Sequence, residues 1–413
     1  MIDEILHEKI IDRIFYTTKI RKYLGSPVIK VLIWQRRVGK SYILKSIIQS
    51  LIKDWDYHQD DIFYLNKELP NYDHIKTYED LKNYFALFHH TRKNKKIFVW
   101  IDEIQEIQGW EHFVNWLLAE YQEKVEIFIT GSNSSLLSWE LATYISGRYI
   151  EFEIFSLSFD EFCIFKEQKR SKENFLEYLK YWGLPGIFRM RWEDETIFSY
   201  LKWVYNTIVL KDIVQHNRVK NTIFFEELYK YTLANIWQLF SAKSISNYLK
   251  SQKVTISVDS VLNYLKYAGD VFLLYKVYSV NPDTKKFFEI YNKFYVGDTW
   301  LRNALVGYDI RRDIAKLLEN YVYLELRRHG YEIQIWRLSS WTEIDFIATK
   351  QGITRYFQVC YLLGSIDTMN REYASLESVS DNWEKYIVSF DDMSFWVSRW
   401  VNHINIMDIG TVL

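Results

Sequence analysis

The sequence predicts a multi-domain α/β protein whose first part is built on a parallel sheet. Through roughly the first 155 residues, short and almost continuously apolar runs alternate with longer amphipathic segments. This is the pattern of strands buried on both faces and of the helices that cover them. The chain has 413 residues, and about 150 residues per domain would allow two or three domains.

Five strand-like runs are expected in this first part. The first is followed at once by a polar loop and a helical pattern, which is the beginning of an α/β unit. Because strands alternate with helices, neighbouring strands are expected to be parallel, with helices on both faces of the sheet. The runs lie at 29–34, 62–66, 96–103, 125–130 and 148–154.

The rest of the chain divides into three further segments. A mainly helical stretch follows the first sheet, with one break at the sequence GLPG, and is followed by three short helices and two strands in the order of a winged helix. The last segment reads as a second, smaller α/β unit. The expected divisions are 1–155, 156–217 (a helical lid), 218–300 (a winged helix) and 301–413.

Composition excludes several classes of protein. With 52 lysine and arginine residues against 53 acidic ones, the net charge is −1, which excludes a histone-like polycation. Cys163 and Cys360 are the two cysteines, so no disulfide framework or thiolate zinc site is expected. No apolar run approaches the length of a membrane span, and the first residues do not have the pattern of a signal peptide. We therefore expect a cytoplasmic protein without a membrane partner.

The strongest functional signal lies between the first strand and the helix after it. A phosphate-binding loop needs converging backbone N–H groups, a lysine for the phosphates and a hydroxyl for Mg²⁺. Gly39, Lys40 and Ser41 supply the end of this pattern, whereas Trp34 stands where its first glycine would be. The alternative is a surface turn that caps a helix. The residues expected to bind nucleotide are Gln35, Arg36, Arg37, Val38, Gly39, Lys40, Ser41 and Tyr42.

Polar residues after the later strands complete this candidate site. Asp102 and Glu103 end the third strand, where one acid can hold Mg²⁺ and the other can polarise an attacking water. Asn133 follows the fourth strand and could orient that water. Arg148 precedes the fifth, and could stabilise phosphoryl charge in its own chain or in a neighbouring subunit. Without a functional role, the two acids would be ordinary solvated residues at a strand end, the asparagine would be a turn residue and the arginine a surface residue.

Several motifs together resemble a known family. The chain resembles the prokaryotic AAA+ P-loop ATPases of the archaeal-ATPase type, AAA domain family 14, in the motifs RRVGKS, IDEIQ, TGSNSSLLS, GR, SLSFDEF and GLPG. Members of this family carry a restriction-endonuclease-like C-terminal domain. The resemblance implies a P-loop NTPase sheet with ATP and Mg²⁺ as cofactors. It assigns Lys40 and Ser41 to the Walker A motif, Asp102 and Glu103 to Walker B, and Asn133 to the sensor position; Arg148 matches the GR arginine.

Trp34 departs from the pattern of this family. If the backbone there needs a positive φ, a residue with a side chain costs about 1–2 kcal/mol. We therefore expect reduced nucleotide affinity or turnover.

The winged-helix segment carries a modest basic excess. Residues 211–300 hold 12 lysine and arginine residues against 8 acidic ones. A helix-turn-helix with a basic wing suits contacts to DNA phosphates, although such domains also serve as protein contacts. The lysines on or beside its helices and wing are Lys250, Lys253, Lys266, Lys276, Lys285, Lys286 and Lys293.

The C-terminal segment is similar to nucleases that bind Mg²⁺ through acids on a helix and on two strands. Glu319 and Asp345 could supply two of these acids, and Glu343 could share the metal. The third motif, Glu-x-Lys in those nucleases, is Gln358-Val359-Cys360 here, so it lacks both the charge and the lysine. We expect this domain to be catalytically inactive.

The sequence thus predicts an ATP-hydrolysing switch that acts on DNA or on a protein partner. The alternative is a nucleotide-binding module that does not hydrolyse ATP and works by docking DNA or protein through its later domains. Either form could be a homo-oligomer.

Overall fold

The structure is a computed structural model in which the chain forms two compact units. The first comprises Met1–Ser156 with Leu184–Gly186, and the second comprises Leu157–Gly183 with Ile187–Leu413. The structure describes residues 2–413 except 55–56, 90–95, 122–123, 135–146, 218, 220, 237, 239–240, 252–255, 281–286, 338–342 and 393–399.

The first unit contains a five-stranded parallel sheet in the order β2-β3-β4-β1-β5. Every residue of β1, β3 and β4 is buried, because helices cover both faces of a doubly wound sheet. The prediction of an α/β fold with a parallel sheet is confirmed. The strands are β1 (Ile29–Ile33), β2 (Ile62–Asn66), β3 (Ile97–Asp102), β4 (Val125–Gly131) and β5 (Tyr149–Glu153).

The described residues of this unit form five helices. The helix after β1 begins at Lys40, directly after the polar loop, so its first turn faces the carboxyl edge of the sheet. Leu44, Ile47, Ile48 and Leu51 are buried at helical spacing along it. The helices are α1 (Ile2–His7), α2 (Ile14–Arg21), α3 (Lys40–Asp54), α4 (Tyr78–His89) and α5 (Trp110–Tyr121).

The second unit begins with a helical stretch. Its first helix starts at a capping box, in which Ser158 accepts from the N–H of Glu161 and the Glu161 side chain accepts from the N–H of Ser158. The helices are α6 (Phe159–Phe165), α7 (Lys172–Tyr181), α8 (Asp194–Thr207), which continues as a π-helix over Ile208–Gln215, α9 (Thr222–Ala234), α10 (Ala242–Ser251), α11 (Val258–Asp270), α12 (Thr299–Val306), α13 (Ile310–Arg328) and α14 (Ile366–Glu377).

A mixed seven-stranded sheet completes the second unit, in the order β12-β11-β10-β9-β8-β6-β7. The pairs β6–β8, β10–β11 and β11–β12 are parallel, whereas β6–β7, β8–β9 and β9–β10 are antiparallel. The strands are β6 (Leu274–Val280), β7 (Phe287–Val296), β8 (Glu332–Arg337), β9 (Glu343–Lys350), β10 (Ile353–Val359), β11 (Glu384–Ser389) and β12 (Val401–Asn405).

The structure differs from the expected division at residue 300. The three helices and the β-ribbon form as expected, but the ribbon β6–β7 belongs to the same sheet as the C-terminal strands. Ser279 and Val280 of β6 pair with Ile335 and Trp336 of β8. Pairing satisfies backbone groups that the edge of an isolated ribbon would leave open, which favours one continuous sheet over a separate wing. Lys253, Lys285 and Lys286 lie outside the described residues.

Within the described ranges, no helix is both long enough and apolar enough to cross a membrane.

Candidate functional site

The predicted nucleotide-binding residues lie at the carboxyl edge of the first sheet. The loop that follows β1 leads into α3, Asp102 ends β3, and Thr130 lies next to the end of β4. Parallel strands bring their carboxyl ends to one edge, which is where ligands bind in open α/β sheets. The fold therefore gathers groups that are far apart in sequence.

Lys40 is buried at the beginning of α3. Its ammonium donates to the carbonyls of Trp34 at 2.7 Å and Gln35 at 2.9 Å, so the loop curls around the lysine. Gly39 has a φ of +97°, a conformation that favours glycine. The N-terminus of α3 carries backbone N–H groups and a positive dipole end, both of which attract phosphate.

Trp34 takes the place of a glycine without disrupting the loop. Its φ is 153°, in the region that L-residues with a side chain rarely adopt. The indole is completely buried and its ring centroid lies 3.9 Å from that of Phe155. Burial of a large aromatic side chain contributes about 1.5–3 kcal/mol, which can offset the backbone cost.

Arg13, a residue that sequence reasoning missed, supports the loop from α2's N-terminal end. Its guanidinium donates to the carbonyl of Val38 at 3.0 Å and to that of Ser156 at 3.3 Å. Arg13 is buried, so these bonds form where water does not compete with them. No motif in the sequence signals this contact, because Arg13 and Val38 are 25 residues apart.

Ser41 and Asp102 meet directly. The Ser41 hydroxyl donates to Oδ2 of Asp102 at 2.7 Å, and the Thr130 hydroxyl donates to Oδ1. Burial and the charge of Glu103 raise the pKa of Asp102 to about 6, against the opposing effects of these hydrogen bonds and of Lys40. A hydroxyl paired with a carboxylate of raised pKa is a donor set that fits Mg²⁺, because the ion prefers oxygen and favours the ionised acid.

Glu103 is held by several groups at once. Its φ is 54°, and its carboxylate accepts from the Ser132 hydroxyl at 2.9 Å and from the amide of Gln105. Burial alone raises the pKa of Glu103, but the charges of Lys40 and Arg36, helped by these hydrogen bonds, hold it below the usual value. Glu103 is therefore ionised at neutral pH, as a group that accepts a proton from water must be.

The other predicted residues are not all brought to this place. Asn133 is buried two residues beyond β4, and its neighbour Ser132 is the residue that contacts Glu103. Arg148 is exposed and precedes β5, whose first residue pairs with Ile29 at the start of β1. It therefore lies at the amino edge of the sheet, about 13 Å of strand length from the carboxyl edge. The structure does not bring Arg148 to Lys40 and Asp102 of the same chain.

The remaining loop residues are placed as follows. Val38 is buried, whereas Arg37 is exposed with a φ of 71°. Tyr42 is half-buried in the first turn of α3, where the Lys45 ammonium lies 4.6 Å from its ring centroid.

Comparisons with known proteins agree with this arrangement. Residues 27–163 match the family model described as an AAA domain, and residues 172–319 match a domain of unknown function, DUF8612. An uncharacterized protein of Haemophilus influenzae is 32% identical over 389 residues, covering 93% of this chain and 94% of the relative. The chain belongs to the AAA-type P-loop ATPase family.

Two further proteins are similar to this chain. An uncharacterized protein of Methanocaldococcus jannaschii is 31% identical over 387 residues, which cover 89% of this chain and 83% of the relative. A Walker-type ATPase of Pyrococcus abyssi is similar in structure, with 15% identity, a TM-score of 0.49, and coverage of 73% of this chain and 97% of that chain.

A second cluster of charged groups lies inside the second unit of this AAA-type protein. The ammonium of Lys293 on β7 is 3.0 Å from Oε1 of Glu319, forms an ion pair with Glu343, and is 3.7 Å from Oδ1 of Asp345. Tyr295 also donates to Glu319, at 2.7 Å. Burial lowers the pKa of Lys293, but the surrounding carboxylates outweigh it and raise the pKa, so this lysine is charged.

The sequence does not indicate Lys293 as a member of this cluster, because the Glu-x-Lys motif would place the lysine at position 360. Cys360 stands there, and Gln358 is engaged elsewhere: its carbonyl accepts from the N–H of Asp345 and its amide donates to Glu372 at 2.9 Å. The acids thus surround an ammonium of the chain itself. In the part of the chain that the structure describes, no group of three or more histidine, cysteine, aspartate or glutamate side chains is arranged to hold a metal ion.

Proposed function

We propose that this protein binds and hydrolyses ATP, and that its nucleotide state controls how it acts on DNA or on a protein partner. The observation that carries the proposal is the hydrogen bond between Ser41 and Asp102, with Lys40 and Glu103 at the same sheet edge. These four groups supply the cation, the hydroxyl and the two acids that ATP hydrolysis requires.

Each residue then has a defined role. Lys40 holds the β- and γ-phosphates, for which it exchanges its bonds to the carbonyls of Trp34 and Gln35. Ser41 and Asp102 hold Mg²⁺, which when bound neutralises phosphate charge. Glu103 accepts the proton of the attacking water, and in this proposal Asn133 orients that water. In this proposal the backbone N–H groups of residues 35–42, at the start of α3, contribute to binding the phosphates.

Single-turnover hydrolysis tests this proposal. The purified wild-type chain, in excess over radiolabelled ATP and Mg²⁺, is expected to release inorganic phosphate, and chelation of Mg²⁺ is expected to stop the release. ATP that binds but is never cleaved would contradict hydrolysis and favour the module that only binds nucleotide.

One observation favours that second candidate. Trp34 fills the first glycine position with a φ of 153° and a completely buried indole, which limits how far the loop can adjust around the phosphates. In this alternative the loop holds nucleotide as a structural ligand, and the second unit docks DNA or protein without a hydrolytic cycle.

Arg148 can act on bound nucleotide only in another copy of the chain. Because it is exposed at the amino edge of its own sheet, it can stabilise phosphoryl charge only in a neighbouring subunit. A homo-oligomer is therefore part of the proposal.

A DNA-binding role of the second unit predicts a steep dependence on salt. Lysines that contact phosphates release bound cations from the duplex, so affinity is expected to fall about 10³-fold or more between 50 and 200 mM salt if six or more phosphates are contacted. Reversing Lys285 and Lys286 to glutamate is expected to weaken binding to all sequences alike, as measured by fluorescence anisotropy. The matched control reverses Lys19 and Lys22, exposed lysines of the first unit. Absence of binding at low salt would assign the second unit to protein contacts.

We also propose that the second unit does not cut nucleic acid. Glu319, Glu343 and Asp345 engage Lys293, and Gln358 offers a neutral carbonyl where a nuclease has a carboxylate. Plasmid, single-stranded DNA and RNA incubated with Mg²⁺ or Mn²⁺, with and without ATP, are expected to remain intact. Cleavage that is lost in Asp345→Ala and in Lys293→Ala but kept in Lys40→Ala would overturn this proposal. Lys293 would then take the place of the lysine that such nucleases carry in the Glu-x-Lys motif.

A further inference from the structure

Two adjacent arginines in the loop have opposite environments. Arg37 is exposed, whereas only 8% of Arg36 is exposed and its guanidinium points inward. One end of that guanidinium forms an ion pair with Glu68, and the other end, Nη2, lies 3.7 Å from Oε2 of Glu103. A guanidinium cannot lose its charge to become easier to bury, so its position depends on carboxylates such as these.

The contacts of the Glu103 side chain converge on a single oxygen. Arg36, Ser132 and Gln105 all approach Oε2. Within the described residues, no donor contacts Oε1. A carboxylate that takes a proton from water needs one oxygen to be held and the other to have an available lone pair. The observed asymmetry meets this requirement.

We propose that Arg36 is a positioning residue for Glu103, which it fixes through Oε2 so that Oε1 is available to accept the proton of water. This inference rests on the proposed hydrolysis of ATP. Arg36 acts through Glu103 and not on the phosphates, although it lies in the loop that binds them. Its backbone N–H can still contribute to that loop.

The shape of the arginine side chain explains why it suits this position. A planar guanidinium reaches Glu68 and Glu103 at once, whereas an ammonium is a single point charge on a flexible stem. Glu68 follows the end of β2 and Glu103 follows the end of β3, so Arg36 connects the loop after β1 to the ends of two other strands. The position of the Glu103 carboxylate, the proposed base, is thereby tied to the conformation of the loop.

A double-mutant cycle with Arg36→Gln and Glu103→Gln tests the proposal. In single turnover, with Mg²⁺ and with the protein in saturating excess over ATP, Arg36→Gln is expected to lower the rate about 100-fold, the size of effect that a misplaced catalytic group produces. The dissociation constant for ATP is expected to change less than about threefold, since the phosphate contacts remain. In the Glu103→Gln background, Arg36→Gln is expected to lower the rate by less than about threefold, because the base it positions is already absent.

Three further variants test which property of the Arg36 side chain the hydrolysis rate depends on. Arg36→Lys keeps the charge but loses the planar shape, so it is expected to recover part of the rate. Glu68→Gln removes the charge of the other partner of Arg36 but keeps the contact with Glu103, so its rate is expected to fall much less than that of Arg36→Gln. Arg21→Gln, which removes an exposed arginine of α2, controls for the loss of one positive charge.

Several outcomes would overturn the proposal. Rate losses that multiply in the double variant would show that Arg36 acts independently of Glu103. In Arg36→Gln, a dissociation constant for ATP that rises as much as the rate falls would show that the arginine side chain contacts the phosphates. A loss of rate in Glu68→Gln equal to that in Arg36→Gln would show that Arg36 acts through its ion pair with Glu68. Wild-type protein without hydrolysis would instead refute the proposed function, and this inference with it.

Discussion

Replacing Lys40 with alanine is expected to abolish ATP binding. The side chain carries the ammonium at the start of α3, and the loop carbonyls that surround it hold it where the phosphates would lie. A hydrogen bond to a charged partner is worth about 1.5–3 kcal/mol. If the ammonium makes two such bonds to phosphate oxygens, their loss weakens ATP binding about 100-fold or more. Calorimetric titration with ATP and Mg²⁺ measures the effect directly.

Lys45→Ala is the matched control for this experiment. Lys45 lies in the same helix, but its ammonium pairs with Glu8 at 2.7 Å. Its loss removes the same charge from α3 but leaves the carbonyls of Trp34 and Gln35 with their own donor, so ATP affinity is expected to stay within about twofold, as partly exposed ion pairs contribute little. Unchanged ATP affinity in Lys40→Ala would mean that the loop does not bind phosphate through this lysine. Absence of binding in the wild type would mean that Trp34 has disabled the loop.

The first sheet and the central part of its site could be predicted from the sequence for a simple reason. Strands buried on both faces have to be continuously apolar, so their ends are visible, and in a parallel sheet those ends share an edge. Lys40, Ser41 and Asp102 follow such strands and come together as expected. The fit of Trp34 could not be predicted, because it depends on the packing against Phe155.

Contacts between distant segments were the part that sequence patterns could not show. Arg13 and Arg36 have no signature of their own, since each acts through the particular carbonyl or carboxylate that the fold brings near. Lys293 was assigned to a basic wing, yet it lies among buried acids because β7 joins the C-terminal sheet. Arg148 was grouped with the site from its order in the chain, although a residue before a parallel strand lies at the opposite edge.

Replacing Glu103 with glutamine is expected to leave ATP binding intact and to slow hydrolysis by about 10²–10⁴-fold, the contribution of a positioned general base. Glutamine has the same size and can still accept from Ser132 through its carbonyl oxygen, so the surrounding structure is expected to persist. Its amide cannot take a proton from water. Binding is measured by calorimetry and the chemical step by single-turnover phosphate release.

Glu106→Gln controls for the removal of a carboxylate next to the site. Glu106 is exposed and ends the same short 3-10 turn that follows Glu103, so its loss is expected to change neither affinity nor rate. A Glu103→Gln variant that hydrolyses ATP at the wild-type rate would show that another group activates the water. A variant that no longer binds ATP would show instead that Glu103 holds the loop together through Arg36, because the glutamine leaves that guanidinium buried beside a neutral group. Equal affinity with a rate lowered by orders of magnitude is the result that assigns Glu103 to the chemical step alone.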